Sequence, residues 1–239
     1  MSEFNTNQNI VYVDEGGFRQ FLTGTFTNMA IGLLVSAGIA FMSFQSLING
    51  GFIYSLITSG IGFYVLLFGQ LGVAIAFSAG LNKFNPMVAR ILFMVYSAIT
   101  GVTFGILPIA YGVTNTFMAF VFTSVLFVCM AIIGKTTKID ISRFSGLLVG
   151  GLFALIIISI ASMFMNLPGS TLLISYLGVI IFLGLTAWDV QKLKAYYYST
   201  EHDEEMRSKL SIYGAFQLYL DFINLFLYIL RIFGNRSRD

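Results

Sequence analysis

Seven apolar runs near the length of a bilayer span constrain this chain more than any other feature. They fall at about 28–48, 52–79, 87–110, 116–133, 145–165, 171–190 and 210–233. A hydrocarbon core of about 30 Å takes roughly 20 helical residues to cross. In lipid every backbone N–H and C=O must be satisfied internally, which leaves only helices and closed barrels. A barrel would show shorter, alternating segments. The runs are continuous, so the expected fold class is all-α: a polytopic membrane protein built as a seven-transmembrane-helix bundle. Composition agrees, with 57% hydrophobic and 10% charged residues and a mean hydropathy of +0.85. Soluble domains carry about 25% charge. The second run is long enough to tilt.

The loops set the orientation. Arg19, Lys83, Arg90, Lys135, Lys138, Arg143, Lys192, Lys194, Arg207 and Lys209 fall on one side of the seven runs, leaving Arg231 near the end of the last and Arg236 and Arg238 beyond it. The last run thus either crosses with a basic tail or dips in and returns, crossing being favoured by its length. Asn49-Gly50-Gly51, Tyr111–Asn115 and Asn166–Ser170, on the other side, carry no charge. The positive-inside rule makes the basic side cytoplasmic and places the N-terminus inside. Three regions follow: a polar cytoplasmic tail at 1–24, the seven-helix domain at 25–234 and a short basic tail at 235–239. The start of the chain lacks the basic and short apolar regions of a cleavable signal, so the first run is expected to insert uncleaved. The net charge of +2 gives no reason to expect a nucleic-acid partner; the partner is the bilayer.

Smaller features read as structure. Gly101/Gly105 and Gly146/Gly150 put glycines one turn apart, a spacing that lets helices approach closely in lipid. Cys129, the single cysteine, is expected to be a small buried residue. In Ser199–Lys209, the lone His202 sits among acids, but without the partner spacing of a zinc site. The stretch reads as a solvated helix start, with Ser199 or Thr200 as cap and Asp203/Arg207 and Glu205/Lys209 as i,i+4 pairs.

Chemistry is expected at two carboxylates inside apolar helices. Asp221 stands near the middle of Leu218–Phe233, where a charge costs about 2.5–3.5 kcal/mol on insertion scales. At 100° per residue Gly214, Gln217, Asp221, Asn224, Tyr228 and Arg231 form one stripe, which suits a helix surrounded by others. On the sixth run Thr171, Ser175, Gly178, Phe182, Thr186 and Asp189 share a face. Counted from the ends of the apolar runs, the carboxylates lie roughly 7 Å and 15 Å deep, within what tilt can close. Two carboxylates in hydrogen-bonding range in a low dielectric do not readily both ionise, so they share a proton. The same oxygens suit Ca²⁺, and protons and Ca²⁺ would compete for Asp189 and Asp221. The alternative is structural, with Asp189 at the membrane surface and Asp221 bonded to Gln217, Asn224 or a neighbouring helix.

Gly184-Leu-Thr-Ala-Trp-Asp-Val-Gln-Lys-Leu-Lys194 together with Leu218-Tyr-Leu-Asp-Phe-Ile-Asn-Leu-Phe-Leu225 resembles the Bax inhibitor-1 family (transmembrane Bax inhibitor motif proteins) in its bacterial branch. The resemblance implies a seven-helix bundle with the last helix central. It also implies a pH-sensitive calcium leak governed by an aspartate pair, which Asp189 and Asp221 match. The family pattern has an arginine near the second helix that latches an aspartate; the nearest basic residues here are Lys83 and Arg90. Localisation in the inner membrane follows from the bacterial resemblance. No cofactor is expected, calcium being the permeant or bound ion. A second reading, also from the resemblance, is a regulator that binds a membrane-bound quality-control protease. An enzyme is not expected. Intramembrane aspartyl proteases carry Gly-x-Gly-Asp where this chain has Leu218-Tyr-Leu-Asp, and the seventh run has no interior lysine for a retinal Schiff base.

Overall fold

Helix α1 (Glu15–Ile48) opens the computed structural model, which describes residues 15–80, 83–165, 170–200 and 202–236. Then follow α2 (Phe52–Thr58), α3 (Ile61–Gly80), α4 (Pro86–Phe104), α5 (Leu107–Tyr111), α6 (Val113–Thr136), a 3-10 turn (Ile141–Phe144), α7 (Ser145–Met165), α8 (Ser170–Tyr198) and α9 (Glu204–Arg236). The architecture is all-helical, with no strand among the described residues. Among the described residues, six helical stretches are long and apolar enough to cross a membrane: Gly16–Ile48, Pro86–Tyr111, Val113–Thr136, Ile141–Ser162, Leu172–Tyr198 and Glu204–Gly234.

The second apolar run is not one tilted span. It breaks between α2 and α3 at Gly60, whose φ of 72° lies in the left-handed region that glycine enters without a Cβ penalty. What remains beyond the break is α3 itself, 20 residues over Ile61–Gly80. Helix α1 starts ahead of the first apolar run. Phe18, Phe21, Leu22 and Thr25 recur at helical spacing, and Phe21, Leu22 and Thr25 are buried. The Phe18 and Phe21 rings lie 5.6 and 5.7 Å from Tyr197 on α8. Packing against α8 thus extends α1 back to Glu15, ahead of the expected boundary at residue 24; residues 1–14 lie outside the described residues. At the other end α9 runs two residues past the expected boundary at 234.

Local chemistry fixes the helix starts. Asn85 caps α4 by accepting from Val88 N at 2.8 Å, with Pro86 in the first turn, where a missing N–H costs nothing. Asp203, rather than Ser199 or Thr200, caps α9 by accepting from Met206 N at 2.8 Å, and Glu204 and Glu205 occupy its first turn. Glu205 pairs with Lys209 at 2.8 Å as expected. Arg207 instead donates to the Thr200 carbonyl at 2.9 Å and lies over the Tyr197 ring. His202 is exposed.

Helix α9 packs against α8, α1, α6 and α4. Its Ile212, Ala215, Leu218, Tyr219, Leu225 and Leu230 are fully buried. Helices α1 and α4 meet through small residues. A Cβ on Gly101 would stand 2.7 Å from the Ser36 carbonyl, and one on Gly105 would strike Ser43. The Gly101/Gly105 spacing is therefore a packing device. The Gly146/Gly150 spacing makes no such approach, since a Cβ added at either would meet nothing within 4 Å among the described residues; α7 meets α8 instead where Ile181 approaches Gly151 and Leu148 approaches Gly184. Cys129 is exposed rather than buried. It sits on an outward stripe of α6 with Val125, Val128 and Ile132, which lipid tails cover as well as protein would.

Candidate functional site: a buried carboxyl pair between two helices

The contact between α8 and α9 is set by the residues on their facing stripes. The Tyr228 ring fills the place a side chain at Gly178 would take, with Tyr228 Cδ1 2.6 Å from an added Cβ. Phe182 lies against the same ring, 5.8 Å between centroids. Ser175 and Thr186 are fully buried in this face, Thr186 donating to the Phe182 carbonyl at 2.7 Å. The side chain of Thr171 lies outside the described residues.

Between these layers the two helices bring Asp189 and Asp221 together. Their carboxyls lie within hydrogen-bonding reach of each other, and the residues are 8% and 6% exposed. Both helices extend beyond their apolar runs, α8 to Tyr198 and α9 back to Glu204. Counted from those ends Asp189 lies nine residues in and Asp221 seventeen, so the helix ends do not close the offset between them.

The pair has a third member. Lys192 Nζ stands 2.6 Å from Asp189 Oδ1, one turn along α8, and lies 3.9 Å from the centroid of the Trp188 ring. Tyr196 of α8 and Tyr213 of α9, with ring centroids 6.3 Å apart, lie near enough to feel the charge of Asp189. The Tyr196 hydroxyl donates to Gln217 Oε1 at 3.1 Å, which ties the polar stripe of α9 to α8. Asp221 Oδ2 is buried without a hydrogen-bond partner among the described residues. An acceptor enclosed in this way is free to take a proton or a cation.

The rest of the predicted stripe divides. Asn224 donates to its own helix at the Leu220 carbonyl, 2.8 Å away, and does not engage the carboxyls. Tyr228 packs on α8, and Arg231 lies over the Tyr228 ring at 5.5 Å. Lys83 and Arg90 are exposed, and the ion pair of Asp189 is with Lys192. Sequence reasoning placed Lys192 among the loop cations and missed it, although Asp189-x-x-Lys192 is an i,i+3 pair that a helix brings together. No group of three or more His, Cys, Asp or Glu gathers anywhere among the described residues.

One side of the site is anchored. Gln191 accepts from Ile141 N at 2.8 Å and donates to the Ile139 carbonyl at 2.9 Å, fastening the α6–α7 loop to α8. In that loop the Ser142 hydroxyl and backbone N–H hold the Asp140 carboxyl below the usual carboxylate range.

A helical bundle with several membrane-length helices and a buried carboxyl pair defines a multi-pass membrane protein with an ionisable site inside it. The family model for the inhibitor of apoptosis-promoting Bax1 matches residues 18–238. The chain is 36% identical over 238 residues to the inner membrane protein YbhL of Escherichia coli (strain K12), covering 99% of this chain and 100% of that one. It is 37% identical over 220 residues to an uncharacterized protein of Borreliella burgdorferi, covering 92% of this chain and 94% of the relative. It is also 37% identical to the uncharacterized protein RP147 of Rickettsia prowazekii, covering 92% and 91%. The chain belongs to the Bax inhibitor-1 family.

Proposed function

We propose that this protein is a pH-sensitive calcium leak channel of the inner membrane, with Asp189, Asp221 and Lys192 as its sensor. The supporting observation is one geometry: two buried carboxyls in reach of each other, one of them held by an ammonium group. With Lys192 charged, a single proton on the two aspartates makes the set neutral, and neutrality is what a low-dielectric site favours. Loss of that proton leaves one uncompensated negative charge between α8 and α9. The charge drives the helices apart or draws in a cation. Ca²⁺ takes oxygen ligands, and here it competes with the proton and with the Lys192 ammonium. Two carboxylates alone make a weak site, as a permeant ion requires if it is to leave again. Tyr196, Tyr213 and Gln217 supply the remaining polar groups around it.

In this reading α3 is the seventh span, α9 is the centre of the bundle, the N-terminus is cytoplasmic and the protein catalyses no reaction. The name of the Escherichia coli relative and the bacterial sources of the others support the inner membrane. The test is Ca²⁺ influx into dye-loaded liposomes from pH 6 to 8, for wild type, Asp189→Asn and Asp221→Asn. Flux whose pH midpoint moves or vanishes in both variants supports the channel. No flux above empty liposomes at any pH removes it and favours the partner-binding reading, in which the aspartates hold the helices of a protein that regulates a membrane-bound protease.

A further inference from the structure

Away from the carboxyl pair, α1 and α4 leave two adjoining hollows on the outer surface of the bundle. The first, about 680 Å³, has a partly apolar wall into which Arg19, Gln20, Thr23, Asn28 and Arg90 bring polar and basic side chains. Arg19 and Arg90 are exposed, and neither makes an ion pair among the described residues. The second, about 560 Å³, starts from the same Arg90 and is otherwise apolar, running along Met87, Ile91, Met94 and Val95 beside Val35. Both helices advance in the same direction from this end, α1 from Glu15 and α4 from Pro86. The arginine-lined hollow therefore lies nearer the helix starts, and the apolar groove runs on from it along α4.

We infer that this surface binds one anionic glycerophospholipid, its phosphate held by Arg19 and Arg90 and one acyl chain laid along Met87, Ile91, Met94 and Val95. Guanidinium groups match phosphate oxygens in two-point contacts. Gln20, Thr23 and Asn28 supply hydrogen-bond partners for a glycerol headgroup. A zwitterionic lipid offers the same chains but brings its own cation, which the two arginines repel. Basic pockets between membrane helices at the interface are suited to anionic headgroups. The groove supplies what a soluble phosphate could not use.

The experiment is native mass spectrometry of the full chain in neutral detergent, titrated with dioleoyl phosphatidylglycerol and, separately, dioleoyl phosphatidylcholine. Wild type is expected to bind the first about tenfold more tightly, a difference of about 1.4 kcal/mol. The doubly substituted R19Q/R90Q protein, altered only at exposed positions, is expected to lose that preference while keeping its elution volume. K138Q/R143Q, with the same loss of charge at other exposed loop positions, is expected to keep it. Glycerol phosphate without chains is expected not to displace the lipid at a hundredfold excess. Equal binding of the two lipids by wild type, an equal loss in both double variants, or displacement by glycerol phosphate would each overturn the assignment.

Discussion

Lys192 Nζ lies 2.6 Å from Asp189 Oδ1, and the ammonium group reaches back one helical turn into a site that also holds Asp221. This makes the half-buried lysine a partner of the buried carboxyls and not a loop charge. Lys192→Met is expected to lower stability by about 1–3 kcal/mol, the usual cost of leaving a buried polar group without its partner. It also removes the tethered competitor of a divalent cation. The variant should therefore gain more thermal stabilisation from Ca²⁺ than wild type does, read by thermal unfolding in detergent with and without the ion. An unchanged calcium response would show that Lys192 does not share the site with the ion.

Trp188 is the only tryptophan in the chain, and its ring lies under Lys192. Its emission is thus an internal reporter for the carboxyl set. Between pH 6 and 8 the wild-type spectrum is expected to shift, and the shift should be lost in Asp221→Asn, where no proton can leave residue 221. A pH-dependent shift of equal size in that variant would assign the effect to another group.

The carboxyl pair was legible in the sequence because charge inside an apolar run is rare and costly enough to need a partner. The helix stripes then named the facing residues. Lys192 was legible as the i,i+3 neighbour of Asp189 but was overlooked, because counting basic residues for topology treats each as a loop charge, while its side chain folds back along α8. The break at Gly60 was hidden for a related reason. Hydropathy continues through Ser59-Gly60, and only the backbone angle of Gly60 separates α2 from α3. Lipid exposure misled the reading of Cys129, since an apolar stripe facing tails looks the same in sequence as one facing protein.

The two glycine pairs predict opposite outcomes. Gly101→Leu must displace the backbone carbonyl of Ser36, 2.7 Å from where its Cβ would stand, and is expected to cost about 1–3 kcal/mol or more by overpacking. Gly150→Leu meets nothing within 4 Å and is expected to be neutral or slightly stabilising, because it replaces a helix-weakening glycine in α7. Thermal unfolding of the two variants side by side separates them. Equal losses would mean that Gly150 is covered by a neighbour.

Asp140 predicts a local effect of acid. Its carboxyl is held below the usual range by Ser142, so the ionised form is favoured in the folded loop. That contribution is present above the ordinary aspartate range and is lost as pH falls through the lowered value. Asp140→Asn removes it at neutral pH. Cleavage after exposed Arg143 by trypsin is then expected to speed up in the variant at pH 7.5, with the rest of the chain intact. An unchanged cleavage rate would mean that the Gln191 hydrogen bonds to Ile139 and Ile141 hold the loop alone.

Tyr219 stands two residues from Asp221 but on another face of α9, and its hydroxyl meets Ser36 Oγ at 2.7 Å. Ser36 also donates to the Ser97 carbonyl at 2.8 Å, while Gln70 of α3 donates to Thr100 at 2.8 Å. These uncharged contacts join α1, α3, α4 and α9, with Thr100 shared between Gln70 and Tyr219. Hydrogen bonds between membrane helices average about 0.6 kcal/mol, so Tyr219→Phe and Ser36→Ala should each cost about that much or slightly more. The double variant should cost less than the sum, because both remove the same bond. If the protein is a channel sensed by Asp189 and Asp221, these variants should leave the pH midpoint of calcium flux in place while lowering thermal stability. A moved midpoint in Tyr219→Phe would place the hydroxyl cluster in the sensing pathway and show that the two faces of α9 are coupled.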